Sequence, residues 1–505
     1  MEASSPISAA IDRTPRAQER QLGTRQAPTK NDRSRRIATP ATARQPLSDN
    51  APSIGVPLRF MLTGLLALLA GMIWLVCSPR LLATYHYNQY VIAVTHLFVL
   101  GWICSIVMGA MYQLVPVALE TRLHSERLAR WQFVFHAVGF IGMVWMFSAW
   151  NLKQVGHFGA VLAVGVLLFV YNIARTLLKV PRWNVTATAV TAALSWVLFA
   201  ITAGLSIAAA KLSYELAAAS PSSGPMGVLV HGLKSLAGFV AHFDQISAMH
   251  AHAHLGVVGF FTLMIVGVSY KLIPMFTLSE LQSPRRARRS VVLLNIGLAG
   301  AFITILLRSR WKLAFALVLI AALAFYAREL AAILRARKRH ALDWGIRYFL
   351  TAVAVLIPLS LLSLALSWPG LPLTQFTGQM ENLYGFLGLI GFVTFAIVGM
   401  LYKIIPFLVW FGVYSRQIGR AQVPSLADMY STRLQAIGYW TFLSGLAVTS
   451  VAILLSNQIA VQIGCSVLAL SLLALALNVG LILAHFIRPQ TRPLGARLQP
   501  VGGAA

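Results

Sequence analysis

The sequence predicts an all-α polytopic membrane protein with about twelve transmembrane helices in three parallel four-helix repeats. Three observations predict it: long uncharged apolar blocks, basic residues that alternate from loop to loop, and one helix-length segment that recurs three times. The 505 residues are 58% hydrophobic and 11% charged, whereas soluble domains average roughly 45–50% and 25%. Val185 to Ala209 and Ile459 to Phe486 contain no Lys, Arg, Asp or Glu. About 20 such residues rising ~1.5 Å each cross a hydrocarbon core of ~30 Å. A helix is the economical form there, because it satisfies its own backbone hydrogen bonds where water is absent.

Taken in order, residues 1–52 are rich in Pro, Ser, Thr, Ala and Arg and hold no apolar segment. They read as a disordered basic tail, unable to bury enough surface to offset its ordering entropy. The first apolar run starts near Val56 and continues to Cys77 without a small-residue cleavage pattern, unlike a secretory signal. The apolar blocks place spans near 56–78, 89–117, 131–150, 157–177, 185–209, 247–275, 290–308, 313–333, 346–367, 382–413, 435–456 and 459–486. Residues 53–488 therefore form the membrane domain, and 489–505 a C-terminal tail.

Alternate loops carry Arg122, Arg127 and Arg130; Arg175, Lys179 and Arg182; Arg285 to Arg289; Arg335 to Arg339; and Arg416, Arg420 and Arg433. By the excess of Lys and Arg on cytoplasmic loops, this side and both termini face the cytoplasm. A multi-pass protein of a bacterial inner membrane is the expected setting. Arg308-Ser-Arg310-Trp-Lys312 is the one clear exception. The net charge of +27 lies in the tail and these loops. No soluble domain is left to present a nucleic-acid surface, so nucleic acid is not an expected partner. Cys77, Cys104 and Cys465 lie within or at the ends of apolar runs and show no CxxC spacing, so they read as small buried residues.

The recurring segment runs from His96 to Pro116, His254 to Pro274 and Phe386 to Pro406. The copies share Gly101, Gly109, Tyr112 and Pro116; Gly259, Gly267, Tyr270 and Pro274; and Gly391, Gly399, Tyr402 and Pro406. On an α-helix these four offsets fall in a stripe about 80° wide, with the first residue on the opposite side. The glycines suit close helix contact, and His96 and His254 turn elsewhere, toward a cavity near the outer face. The copies begin 158 and 132 residues apart, about four spans each, which predicts the parallel four-helix units.

These features resemble subunit I of the heme–copper oxidases, nearest the cbb3-type cytochrome c oxidases and the related nitric oxide reductases. His96 stands where the family's second helix carries a low-spin heme ligand, and His254 where the sixth helix carries a copper ligand. The resemblance implies heme b and/or copper as cofactor, with His96 and His254 as cofactor-binding residues, and a redox partner protein such as a cytochrome. Departures are large. Tyr384 and Phe386 occupy the place of a His-x-His pair, and Val291 to Leu307 holds no histidine where paired copper ligands would fall. Dioxygen reduction is therefore not expected. The expectation is a degenerate oxidoreductase or a protein of electron transfer, nitric oxide response or heme and copper handling. The other readings are a transporter or permease for a small solute or metal ion on the same scaffold, and a structural partner subunit without chemistry of its own.

His250, His252 and His254 open the sixth span as His-Ala-His-Ala-His. On a helix His250 and His254 share a face and suit one metal, and an unwound segment would bring His252 in as well. The competing reading is an interfacial cluster hydrogen-bonded to loop backbone. His136 reads as a packing residue, and His124, His340 and His485 as solvated. Tyr112, Tyr270 and Tyr402 read as interfacial anchors at inner helix ends. Glu381 and Asp244 lie at outer helix starts, where the helix dipole favours carboxylates.

Overall fold

The structure is a computed structural model and describes residues 52–211 and 225–493. The tail expected over residues 1–52 lies outside the described residues apart from its last position, as does most of 489–505. Among the described residues, twelve helices are long and apolar enough to cross a membrane. We number them α1 (Gly55–Cys77), α2 (Gln89–Ala118), α3 (Glu126–Ser148), α4 (Leu152–Leu177), α5 (Val185–Lys211), α6 (Gln245–Thr277), α7 (Pro284–Leu306), α8 (Lys312–Arg335), α9 (Trp344–Ser367), α10 (Gln375–Gln417), α11 (Thr432–Leu454) and α12 (Gln458–Ile487). The protein is an all-α, multi-pass membrane protein. The stretch before α6 holds a further helix, Pro225–Ala241. Extended pairing among the described residues is confined to Ala421–Gln422 against Arg492–Pro493.

Helix starts follow local chemistry. Asn88, Asp244 and Thr374 cap α2, α6 and α10 by accepting backbone N–H bonds, which satisfies donors that a first turn leaves orphaned. Ser125, Ser283 and Ser431 do the same for α3, α7 and α11.

The repeat is deeper than the one segment read from sequence. In each four-helix unit the last helix reaches back to the start of the third. Asn172 Oδ1 accepts Ser125 N at 3.0 Å, and Asn172 Nδ2 donates to Ser125 O at 2.7 Å. Asn478 clamps Ser431 in the same way, at 2.8 and 3.1 Å. In the middle unit the clamp is Glu329, which is fully buried. It accepts Gln282 N and Ser283 N, both at 2.7 Å, and Arg286 Nε at 2.8 Å. Further along the same helix pairs, Gly139 packs on Leu162, Gly297 on Leu319 and Gly445 on Leu468.

The helices α2, α6 and α10 are the most buried of the twelve and form the interior. The glycines of the segment meet neighbours as expected. A Cβ at Gly109, Gly267 or Gly399 would come under 3.0 Å from Phe60 on α1, Ala189 on α5 or Gly345 on α9. Each of the three helices also widens into a π-helical stretch directly after the segment's first residue: Leu97–Cys104, Leu255–Thr262 and Leu387–Thr394. A wider turn spends extra residues, so His96 and His254 are rotated relative to the glycines from where a uniform α-helix would put them. Thr262 Oγ1 donates to Val257 O five residues back at 2.8 Å, which helps satisfy a carbonyl in the widened turn. Trp102 Nε1 donates to Thr394 Oγ1 at 2.9 Å and ties two of these stretches together.

The tyrosines are not interfacial anchors. Tyr112, Tyr270 and Tyr402 are all buried. Tyr112 donates to Gln132 Oε1 at 3.3 Å and Tyr270 shares a hydrogen bond with Ser290 at 2.5 Å, joining the second and third helices of their units. His485 is likewise buried and not solvated, bonded to Tyr414 Oη at 2.7 Å. His136 is fully buried and bonded to Ser105 at 2.9 Å.

Candidate metal and cofactor cavity

At the end where α2, α6 and α10 begin, the units part around a cavity of about 1630 Å³. This exceeds the ~300–1,000 Å³ typical of small-molecule sites. Its walls are mainly apolar, and His86, His96, His250, His252 and His254 all reach it. Lys211, Arg308, Arg310 and Lys312 also line it, from the end of α5, the turn between α7 and α8, and the start of α8. The basic turn that broke the loop-charge pattern thus belongs to this cavity. Lys312 Nζ donates to Leu366 O at 2.9 Å. Lys211 Nζ donates to Tyr87 Oη at 2.6 Å and to Gln245 Oε1 at 3.0 Å.

His96 and His254 are held alike. His96 Nδ1 lies 2.8 Å from Ile92 O and His254 Nδ1 lies 2.8 Å from His250 O, each the carbonyl one turn back. A ring nitrogen facing a carbonyl carries the proton, so the lone pair is on Nε2, the tautomer suited to a metal. The His96 ring packs on Phe147 with centroids 4.6 Å apart. His254 Nε2 lies 3.4 Å from Tyr384 Oη, with the two rings stacked 5.9 Å apart. Tyr384, which stands in place of a histidine in the resemblance, therefore occupies the side of His254 that would face a ligand.

The three histidines that open α6 do not converge on one point. His252 turns to α5 and packs against Gly204, where an added Cβ would meet its ring at 3.0 Å. Its Nδ1 is buried and makes no well-formed hydrogen bond, although the Ala200 backbone acts on the ring, and it lies within electrostatic reach of His96. His250 turns the other way, and its Nε2 is 3.0 Å from His86 Nε2. Glu381 Oε2 is 3.8 Å from the same His86 nitrogen. Ligand atoms of His86, His250 and Glu381 all lie within 4.8 Å of one another.

His86 was not singled out from the sequence, because it lies in a loop with no histidine at helical spacing. The signal was its place in Tyr85-His86-Tyr87, immediately before α2 and so at the same end as the α6 histidines. Glu381 was noted only as a carboxylate near a helix start. The loop is fixed by α10: Gln379 Nε2 donates to Ala83 O at 2.9 Å, and Asn382 Nδ2 donates to Thr84 O at 2.6 Å. Tyr85 covers the His86 ring at 4.5 Å. Burial pushes the His86 pKa below the ordinary imidazole value, against a smaller opposing effect of Asn382. The ring is therefore neutral at pH 7, the form that binds metals. Asp244, the cap of α6, is held below the usual carboxylate range, chiefly by the N–H of Ser247. No protein-family model matches the chain and no curated protein matches it, so what the cavity does is argued from its own residues.

Proposed function

We propose that this chain is a divergent heme–copper-oxidase-like membrane protein that holds a heme iron, copper or both in the cavity at the outer ends of α2, α6 and α10. Its role is electron transfer, nitric oxide response, or the handling of heme or copper, in a bacterial inner membrane. One observation carries the reading: five imidazoles reach one mainly apolar cavity, and buried titratable groups in a membrane are costly without a function. His96 is the foremost ligand. Its Nδ1 is committed to Ile92 O, which leaves Nε2 for iron. His252, whose ring is buried near His96 and whose Nδ1 makes no well-formed hydrogen bond, is the second candidate, and His254 is engaged by Tyr384. The apolar walls suit a porphyrin, and Lys211, Arg308 and Arg310 suit its propionates at the opening. Bound heme would supply reversible one-electron chemistry, and a cytochrome is the kind of partner that would exchange that electron. Dioxygen reduction is excluded from the proposal because Tyr384, Phe386 and a histidine-free α7 leave too few ligands.

Absorption spectroscopy of the purified protein tests this. A Soret band that His96→Ala abolishes and His157→Ala leaves intact supports heme ligation. A colourless protein that does not bind added hemin and holds no metal by elemental analysis would overturn it and leave the permease and partner-subunit readings.

A further inference from the structure

We propose that His86, His250 and Glu381 form a binding site for one divalent transition-metal ion, separate from any heme ligated by His96. The three residues come from three parts of the chain: the loop before α2, the second turn of α6 and the second turn of α10. Nothing in local sequence brings them together; the fold does. Two imidazole nitrogens 3.0 Å apart and a carboxylate oxygen 3.8 Å from one of them bracket the ~3.3 Å between donors in a tetrahedral site with ~2.0–2.1 Å bonds. Two histidines and one carboxylate suit zinc, copper or iron and leave a position open to the cavity.

The surroundings fit ligation better than a simple hydrogen bond. Two neutral imidazoles meeting Nε2 to Nε2 can share only one proton, and that bond leaves the carboxylate beside them without a proton to accept. An ion satisfies all three at once. Behind His86, its Nδ1 is buried and unpartnered, and so is Asn382 Oδ1. Asn382 acts on this ring and is itself fixed by Thr84 O and Gln379 Oε1. Ligation at Nε2 puts the ring proton on Nδ1, where Asn382 Oδ1 is the acceptor at hand, and metal-bound histidines characteristically have such an outer partner. Tyr85 packs against the same ring, with centroids 4.5 Å apart.

The test uses the full-length protein in detergent, stripped with EDTA and titrated with Co(II), then with Zn(II) and elemental analysis after dialysis. One ion per chain, with visible Co(II) ligand-field bands, is the expected result. His86→Ala and the milder Glu381→Gln should each weaken binding about tenfold or more, while His157→Ala on the surface should not. The proposal is overturned if the wild type retains no ion, or if both variants bind as tightly as wild type. Glu381→Gln keeps the side-chain volume, and a symmetric gel-filtration peak shows that the variant is folded. Heme content, read in the same samples, separates this idea from the heme proposal. The Soret band should survive in His86→Ala and be lost in His96→Ala.

Discussion

Glu329 shows how much one side chain decides. It is fully buried and gathers two backbone N–H groups and the Arg286 guanidinium at the start of α7. Glu329→Leu strands all three donors, and breaking a buried charge pair costs about 3–5 kcal/mol. The low end applies, since the Arg286 side chain is 32% exposed and water screens it. Glu329→Gln keeps an acceptor and should cost about 1–3 kcal/mol. Thermal unfolding followed by tryptophan fluorescence should rank wild type above Gln and Gln above Leu. Sequence alone did not single out this residue: a carboxylate in a basic helix end looks like an ordinary surface charge until its partners, 43 to 47 positions away, are known. His86 escaped for the same reason. His96 and His254 were legible because a repeated offset marks them without any knowledge of contacts. Their hydrogen bonds one turn back were not, since they depend on rotamer.

At the scale of the helix, hydropathy and glycine spacing were read well, and all twelve spans fall where the apolar blocks lie. The close approach of α5 and α6 rests on Gly267 against Ala189. Gly267→Ala should therefore destabilise by about 1–3 kcal/mol through overpacking. Adding Ala189→Gly should recover part of the loss, and a double-mutant cycle on melting temperature checks the coupling. An additive result would mean that this contact does not set the helix spacing. The π-helical stretches were invisible to periodicity arguments, because apolar residues on every face of a buried helix give no phase to follow. They are why the cavity-facing side of α2, α6 and α10 could not be read from a uniform 100° per residue.

For the molecule as a whole, twelve spans return the chain to the end from which it started, and the basic loops share that end. With the loop-charge rule, this predicts which side each loop faces. Cys77 is exposed at the end of α1, not buried as its sequence suggests, so in a Cys77→Ser background a cysteine at Gly370 should react with a membrane-impermeant maleimide added to intact cells. One at Arg337 should react only after permeabilisation, and the reverse pattern would invert the molecule. The three clamps, Asn172 to Ser125, Glu329 to Ser283 and Asn478 to Ser431, carry a consequence for biosynthesis. Each joins partners 46 or 47 residues apart, so both leave the ribosome within seconds of one another at typical synthesis rates of about 5–20 residues per second. Each helical hairpin can lock as it enters the lipid, before the later units exist. The three interior helices, whose contacts span up to 300 positions, can close only once the last unit has been made.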